Sequence, residues 1–396
     1  MATGDVLDTL DALLARWPDL RDVAIVGLDL RTAGLAWQDA DLRGAVVFGC
    51  ELPSGVDALA AAGGAGVVAG FDRPPLPVYR SALYTYGELA APVEANGVVS
   101  SLDEVIGSWF RPARTTAPYD TMARSLHDAT VEAAVARFVV GRRVVGVMGG
   151  HAVARDAPLY RRVAKLGRSL TRAGFCVATG GGPGVMEAAN LGAWFASFGD
   201  RELDAALGVL GQAPSYGDDP GLYRHRALEV RERWPDGDES LAVPTWVYLD
   251  EPTGAFATHI AKYFTNSIRE DGLLAIARSG VVFAPGGAGT TQEIFADTAQ
   301  NSLTLYEVRS PMVFFDRAFY DEQHPELVRA VRRQAADFDW ADLVSVLDEP
   351  DDVVAFIAAH DPDASASAGV ERRRRHPAGS GDRGTGRPHI GHSRSV

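Results

Sequence analysis

The chain is poor in sulfur, with two cysteines and five methionines in 396 residues. Cys50 and Cys176 lie far apart, each in apolar surroundings, so buried thiols are expected rather than a disulfide, in keeping with a reducing cytosol. Positive charge is also in deficit. A formal net charge of −14 argues against sequence-independent binding to nucleic acid or to an anionic membrane, since both need a basic face. No apolar run reaches membrane-spanning length. The start, Met1 to Leu20, carries four aspartates and no basic region ahead of an apolar run, so no signal peptide is expected and the expected location is cytoplasmic. No spacing of His, Cys or carboxylates resembles a metal site, so neither a metal nor a cofactor is expected. The dinucleotide fingerprint G-x-G-x-x-G after a strand is missing, which argues against a dehydrogenase. Nothing resembles a pyridoxal phosphate lysine site.

What is present is the composition of a soluble globular protein, 46% apolar and 23% charged, in a chain long enough for two domains. The expected fold is α/β: a Rossmann-like doubly wound parallel sheet with a smaller N-terminal α/β domain. The expected division is residues 1–115 for the small domain, 116–360 for the nucleotide-binding domain and 361–396 for a disordered basic tail. In the first part, residues 5–17 read as an amphipathic helix with Val6, Leu7, Leu10, Leu13 and Leu14 on one stripe. Strands are expected within 22–30, 43–50 and 65–69, and helices over 56–62 and 101–110. This region is either regulatory or oligomeric, or a structural extension without a ligand. Residues 111–119 (RPARTTAPY) read as the boundary.

From residue 120 the alternation becomes regular. A helix over 120–139 leads to a strand over 142–149, a helix over 158–173 with Tyr160, Val163, Leu166 and Leu170 inward, and a strand over 175–179. Strand, helix, strand at this spacing is a βαβ unit, which makes the sheet parallel. Further on, an insertion over 195–240 holds 202–210, a turn-rich stretch and a charged helix over 223–234, and is either a lid or oligomer contact over the cleft or a solvated surface element. A strand is expected over 244–249. A helix over 259–277 would carry His259, Lys262, Asn266 and Arg269 on one face. Past Asp361 the chain turns to Ser, Gly, Arg and His, with a basic run at Arg372 to Arg375.

Two glycine-rich turns each join a strand to a helix. The second, Val281 to Glu293 (VVFAPGGAGTTQE), places Gly286, Gly287 and Gly289 where backbone N–H groups are uncovered by any Cβ. A turn of this kind feeding a helix N-terminus holds phosphate. Pro285 precedes it, and Thr290 and Thr291 add hydroxyls. Glu293 is expected in the first helical turn. A carboxylate beside a phosphate site would repel the ligand, so it points to chemistry on the part of the ligand beyond the phosphate. The first turn, Thr179 to Asn190 (TGGGPGVMEAAN), offers Gly180, Gly181, Gly182, Gly184, Met186 and Glu187 to the same cleft at the carboxyl ends of the strands. Glu187 either faces the ligand or complements the helix dipole.

The pair GGGPGVMEAAN (180–190) and PGGAGTTQE (285–293) resembles the LOG ("Lonely guy") family over roughly residues 142–320. The resemblance implies a Rossmann-like fold, usually dimeric or larger, and hydrolysis of the N-glycosidic bond of nucleoside 5′-monophosphates to free base and ribose 5-phosphate. Plant and many bacterial members act on cytokinin nucleotides. Longer bacterial relatives with an added N-terminal region are similar to general purine and pyrimidine nucleotide nucleosidases. Carried onto this chain, Gly286, Gly287, Gly289 and Thr290 would hold the 5′-phosphate, and Glu293 matches the catalytic carboxylate. Arg269 is the nearest match to the family's catalytic arginine, with Glu270 where the family has Lys and Gln292 where it often has Glu. The expected partners are therefore a nucleoside 5′-monophosphate and further copies of the chain, with no nucleic acid and no membrane. Alternatives are a non-catalytic nucleotide sensor and a DNA-binding protein on a related scaffold, the latter opposed by the acidic charge.

Overall fold

The computed structural model describes residues 5–362 except 72–73, 96–97, 114–116 and 249–250. The expected tail, with its basic run at 372–375, lies outside these apart from its first two residues.

The first sheet is parallel, in the order β1 (Val6–Leu7), β2 (Ala24–Val26), β3 (Val46–Phe48), β4 (Gly66–Val68). Helices α1 (Leu10–Arg16) and α2 (Val56–Ala62) fill two of the connections. The single helix expected over 5–17 is thus corrected. Val6 and Leu7 pair with Ala24 and Ile25, and the Thr9 hydroxyl accepts from Ala12 N–H and starts the helix late. Leu10 and Leu14 are exposed and only Leu13 of that stripe is buried within the helix.

The strands here are short because they belong to stacked coils. Leu20, Val23, Ile25, Leu28 and Leu30 recur in the same spacing as Leu42, Ala45, Val47, Cys50 and Leu52, and each residue of β2 pairs with the one twenty-two places on in β3. The corners stack as well. Positive φ occurs at Asp22, Gly44 and Gly64, and again at Gly27, Gly49 and Gly70. Three Asp-Leu-Arg triplets fold alike, with Arg21, Arg31 and Arg43 each clamping the aspartate two residues back. The inward residues form their own cluster, while Phe48 and Val68 on the other face pack with Ala123 and Leu126 of the long helix described next.

Helix α3 (Tyr86–Ala90), the antiparallel hairpin β5 (Pro92–Ala95) and β6 (Val98–Ser101), α4 (Leu102–Ala113) and α5 (Pro118–Phe138) follow. Tyr84, Leu89, Ile106 and Phe110 lie in the core of the main sheet, so packing does not divide at residue 115.

The main sheet takes β7 (Val144–Met148), β8 (Cys176–Thr179), β9 (Ser240–Ala242), β10 (His259–Ile260), β11 (Gly280–Phe283), β12 (Met312–Phe315) and β13 (Val344–Leu347). Its order is β10-β9-β8-β7-β11-β12-β13 and every pair is parallel. This is the doubly wound Rossmann-like arrangement, reversing direction between β7 and β11. Helices α6 (Pro158–Arg172), α7 (Val185–Trp194), α8 (Asp200–Leu210), α9 (Pro220–Arg233), α10 (Asn266–Ile276), α11 (Ala288–Leu303), α12 (Pro325–Asp337) and α13 (Pro350–His360) complete it. The strands are buried on both faces: Val145 and Val147 enter one core, Val144 and Met148 the other.

Two expected elements are displaced. The strand near 244–249 lies earlier, at β9; Pro244 has no N–H to give a ladder, and Thr245 makes only an isolated bridge with Tyr263. The helix expected over 259–277 begins at Asn266. His259 and Ile260 are taken by the sheet edge, where Ile260 exchanges backbone hydrogen bonds with Tyr84 at 2.8 and 2.9 Å. Asp128 then accepts from Phe264 and Thr265 N–H, both at 2.9 Å, just ahead of α10. His259 and Lys262 therefore share no helix face with Asn266 and Arg269. Helix α13, with Val353 and Ile357 buried, had no counterpart in the sequence reading.

Cys50 and Cys176 are free and half-buried, and burial pushes the Cys176 thiol up to about 12.

Candidate functional site

The reversal of strand order opens a crevice beyond the carboxyl ends of β7 and β11. Three turns meet there. Gly150 N–H donates to Pro285 O at 3.0 Å, and Val185 N–H donates to Gly150 O at 3.1 Å. The turn after β7 thus stitches the two glycine-rich turns together.

These two turns differ in access. In the second, Pro285 and Gly286 are half-buried and Gly287, Ala288 and Gly289 are exposed, while Thr290 is buried beneath them. A Cβ on Gly287 or Gly289 would meet nothing within 4 Å. One on Gly286 would sit 2.1 Å from Thr290 Oγ1 and 2.9 Å from Gly150 N. The first N–H groups of α11 have no partner within their own helix, so an exposed, unshielded helix start is left facing solvent. Gly286→Ala is expected to distort the turn and weaken phosphate binding together with thermal stability. Gly289→Ala, inside the helix, should hold or raise stability by about 0.5–1 kcal/mol and affect only ligand binding. Paired thermal melts and phosphate titrations separate the two.

Gly180, Gly181, Gly182 and Gly184 are all buried. A Cβ on Gly180 would reach Arg269 Nη2 at 2.4 Å, one on Gly181 would reach Pro244 at 2.9 Å, and one on Gly184 would reach Gly150 O at 2.4 Å. Met186 covers Gly180 and Gly182. The first turn admits close neighbours, whereas the second presents backbone outward.

Glu187, expected either to face the ligand or to complement the helix dipole, is held in a buried network. It is fully buried, accepting from Arg155 Nε at 2.8 Å and Nη2 at 2.6 Å, from Tyr160 at 2.8 Å and from Tyr223 at 2.7 Å. Burial alone would raise its carboxyl, but Arg155 and the two hydroxyls hold it below the usual range. Arg155 and the tyrosines belong to no motif, so no local pattern announces this network. It anchors α9 through Tyr223, whose carbonyl also accepts from Arg155 at 2.8 Å.

Arg269 and Glu293 do come together. Arg269 is buried; its Nε donates to Val243 O at 2.8 Å and its Nη2 to Gly180 O at 3.3 Å. That leaves Nη1 3.7 Å from Glu270 and 3.9 Å from Glu293. Glu293 lies in the second turn of α11, because the helix starts at Ala288. Burial pushes its carboxyl up to about 7, with Arg269 opposing and Glu270 adding to the shift. The two positions that depart from the LOG pattern face one another: Gln292 Nε2 donates to Glu270 Oε2 at 2.7 Å. Asn266 donates to the other oxygen of Glu270 at 2.8 Å. Behind α10, Tyr84, His127 and Asp128 form a buried chain, 2.8 Å between the first two and 3.2 Å between the last two.

Farther along α11, Asp297 is fully buried, its Oδ2 has no hydrogen-bond partner, and burial pushes its carboxyl up to about 8. The folded chain therefore keeps a proton that the unfolded chain releases above 3.8. Stability on this account is full below 3.8 and is lost as pH rises toward 8. Asp297→Asn is expected to remove that slope, its melting temperature gaining on the native protein between pH 5 and 8; parallel slopes would refute it.

A cavity of about 510 Å³ lies beside the first turn, walled by α4, α9, residues between 245 and 248, and residues 251–253. Gly286, Gly287 and Gly289 do not line it. Among the described residues no group of three or more His, Cys, Asp or Glu could hold a metal, and no helix is long and apolar enough to cross a membrane.

The fold is a Rossmann-like doubly wound α/β sheet whose crevice is lined by two glycine-rich turns. Residues 142–197 match the model of the SLOG cluster4 family, a stretch running from β7 through the first glycine-rich turn and α7. Among solved structures, the chain is similar to the molybdenum cofactor binding protein of the phototrophic bacterium Rippkaea orientalis, at 14% identity and a TM-score of 0.33 over 55% of this chain and 96% of that one. It is also similar to the molybdenum cofactor carrier protein of Chlamydomonas reinhardtii, at 16% identity and a TM-score of 0.32 over 55% and 98%. No curated protein matches the chain.

Proposed function

We propose that the chain hydrolyses the N-glycosidic bond of nucleoside 5′-monophosphates, releasing free base and ribose 5-phosphate. The observation that carries this is the Arg269–Glu293 pair, 3.9 Å apart beside the exposed helix start at Gly287 to Gly289. The 5′-phosphate would sit on the N–H groups of that helix start, with the Thr290 hydroxyl beneath. Binding energy from this non-reacting group then holds the ribose against Glu293. As the C1′–N bond lengthens, positive charge grows on the ribose, and the Glu293 carboxylate stabilises it. A water adds to C1′, Glu293 takes its proton, and the base departs with the bonding pair and a proton from solvent. A carboxyl at about 7 is suited to hold and release a proton at neutral pH. Arg269, fixed by two main-chain carbonyls, keeps a cation beside the reacting carboxylate.

The same reading includes assembly into dimers or larger. Phe295, Leu303 and Leu305, on or just after α11, are exposed apolar side chains that a second copy would cover.

The test is incubation of the purified protein with a panel of nucleoside 5′-monophosphates, followed by chromatography for base and ribose 5-phosphate. Release from nucleotides but not from unphosphorylated nucleosides supports the reading. Binding without release would replace it with a nucleotide sensor on the same fold.

A further inference from the structure

The cavity beside the first turn has a feature that neither the phosphate loop nor the Arg269–Glu293 pair accounts for. It joins the glycine cleft at Glu251, which lines both the cavity and a smaller space against Gly180, Gly182 and Arg269. Tyr86, Trp246 and Tyr248 give its walls aromatic surface. Much of its charge is already engaged within the protein. Lys262 Nζ lies 2.7 Å from Asp103 Oδ1, and Arg224 Nη1 lies 2.7 Å from Glu104 Oε1.

Glu251 is different. Among the described residues, its carboxylate has one basic neighbour within 4 Å, His151 Nδ1 at 3.8 Å, beyond hydrogen-bond reach, and no side-chain hydrogen bond satisfies it. Its side chain is 32% exposed, with burial raising its carboxyl above the ordinary value. A carboxylate is an acceptor for up to four hydrogen bonds, and partial withdrawal from water makes a donor-bearing ligand the favourable way to supply them.

We propose that this cavity receives the base of the bound nucleotide, and that Glu251 favours purines presenting an amino group beside a ring N–H by accepting a hydrogen bond from each. The proposal rests on the reading of the cleft as a nucleotide site. It gives α4, from the N-terminal part of the chain, and α9, from the insertion, a shared task as the two walls that enclose the base.

The test is calorimetric titration of the full chain with AMP, GMP, IMP and ribose 5-phosphate at one ionic strength, repeated for Glu251→Gln and for Leu228→Trp, which fills the cavity from α9. GMP, which offers both a ring N1–H and a 2-amino group, is expected to bind roughly tenfold more tightly than IMP, which keeps N1–H alone, or AMP, which has the amino group beside a bare ring nitrogen; the difference is the size of one charge-assisted hydrogen bond. Glu251→Gln should narrow the gap, because an uncharged amide has one acceptor oxygen in place of two and accepts the second hydrogen bond less strongly. Leu228→Trp should weaken all three nucleotides and leave ribose 5-phosphate unchanged. If Leu228→Trp leaves the nucleotides unaffected, or Glu251→Gln keeps the full preference, the proposal is overturned. If neither ribose 5-phosphate nor any nucleotide binds, the phosphate site fails and the proposal falls with it. Amino-dependent binding without base release would reject hydrolysis and leave the base pocket standing.

Discussion

Glu293→Gln is expected to bind nucleoside 5′-monophosphates within a few-fold of the native protein and to lose turnover by about 10²–10⁴, the usual worth of a positioned acid or base. The substitution keeps the shape of the side chain and removes its ability to ionise. The helix start at Gly287 to Gly289 is untouched, so phosphate affinity should persist. The Arg269 guanidinium, 3.9 Å away, would lose the charge it faces, but its bonds to Val243 and Gly180 carbonyls keep it in place. A second signature follows from the carboxyl at about 7. If the ionised form is the active one, native kcat/KM should climb as pH rises through about 7 and then level, and the residual rate of the variant should lack that limb. Stability runs the other way, since a raised carboxyl costs the fold as pH rises from 4.5 through about 7. Steady-state rates against pH, beside calorimetric binding, decide the matter. Turnover close to native in the variant would remove Glu293 from the mechanism.

The largest expected loss of stability comes from the other glutamate. Glu187→Ala leaves the Arg155 guanidinium fully buried without its counter-ion, and breaking a buried pair on one side costs about 3–5 kcal/mol. Two tyrosine hydroxyls also lose their acceptor. Because Tyr223 sits on α9, the loss should register there first, as faster proteolytic cleavage near residues 216–234 before the main sheet yields. The native pair weakens on the acid side: its stabilisation is present above the ordinary glutamate value of 4.5 and disappears as pH falls through the depressed folded value. Denaturant titration of Glu187→Ala, Arg155→Ala and the double variant measures the pair, and the double should cost less than the two singles combined. A shift under about 1 kcal/mol for Glu187→Ala would show that the network is dispensable.

Strands β7, β8 and β11 were legible because each is an apolar run that leads into a glycine-containing turn. The second glycine-rich turn was legible because Gly286, Gly287 and Gly289 leave a pattern in the chain itself. The charged partners were not. Arg155 reaches Glu187 across thirty-two residues, and Asp128 reaches the start of α10 across more than a hundred, with no local spacing to announce either. The segment 259–277 misled because helical periodicity ran back through residues that an edge strand claims. In the coiled region the recurrence of Leu20 to Leu30 at Leu42 to Leu52 was present in the letters, but its strands are too short for strand periodicity to reveal it.

That recurrence has a mechanical consequence. Within the small sheet each coil pairs only with the coil before it and the coil after it, so the energetics of the stack are those of a one-dimensional chain of neighbours. Length in such a chain is adjustable. Duplicating the stretch from Ala24 to Ala45, one full repeat, would lengthen the stack by one strand spacing, roughly 4.8 Å, without changing any contact in the Rossmann-like sheet. The small sheet can therefore serve as a ruler fixed to α5 through Phe48 and Val68, its reach set by coil number independently of the crevice.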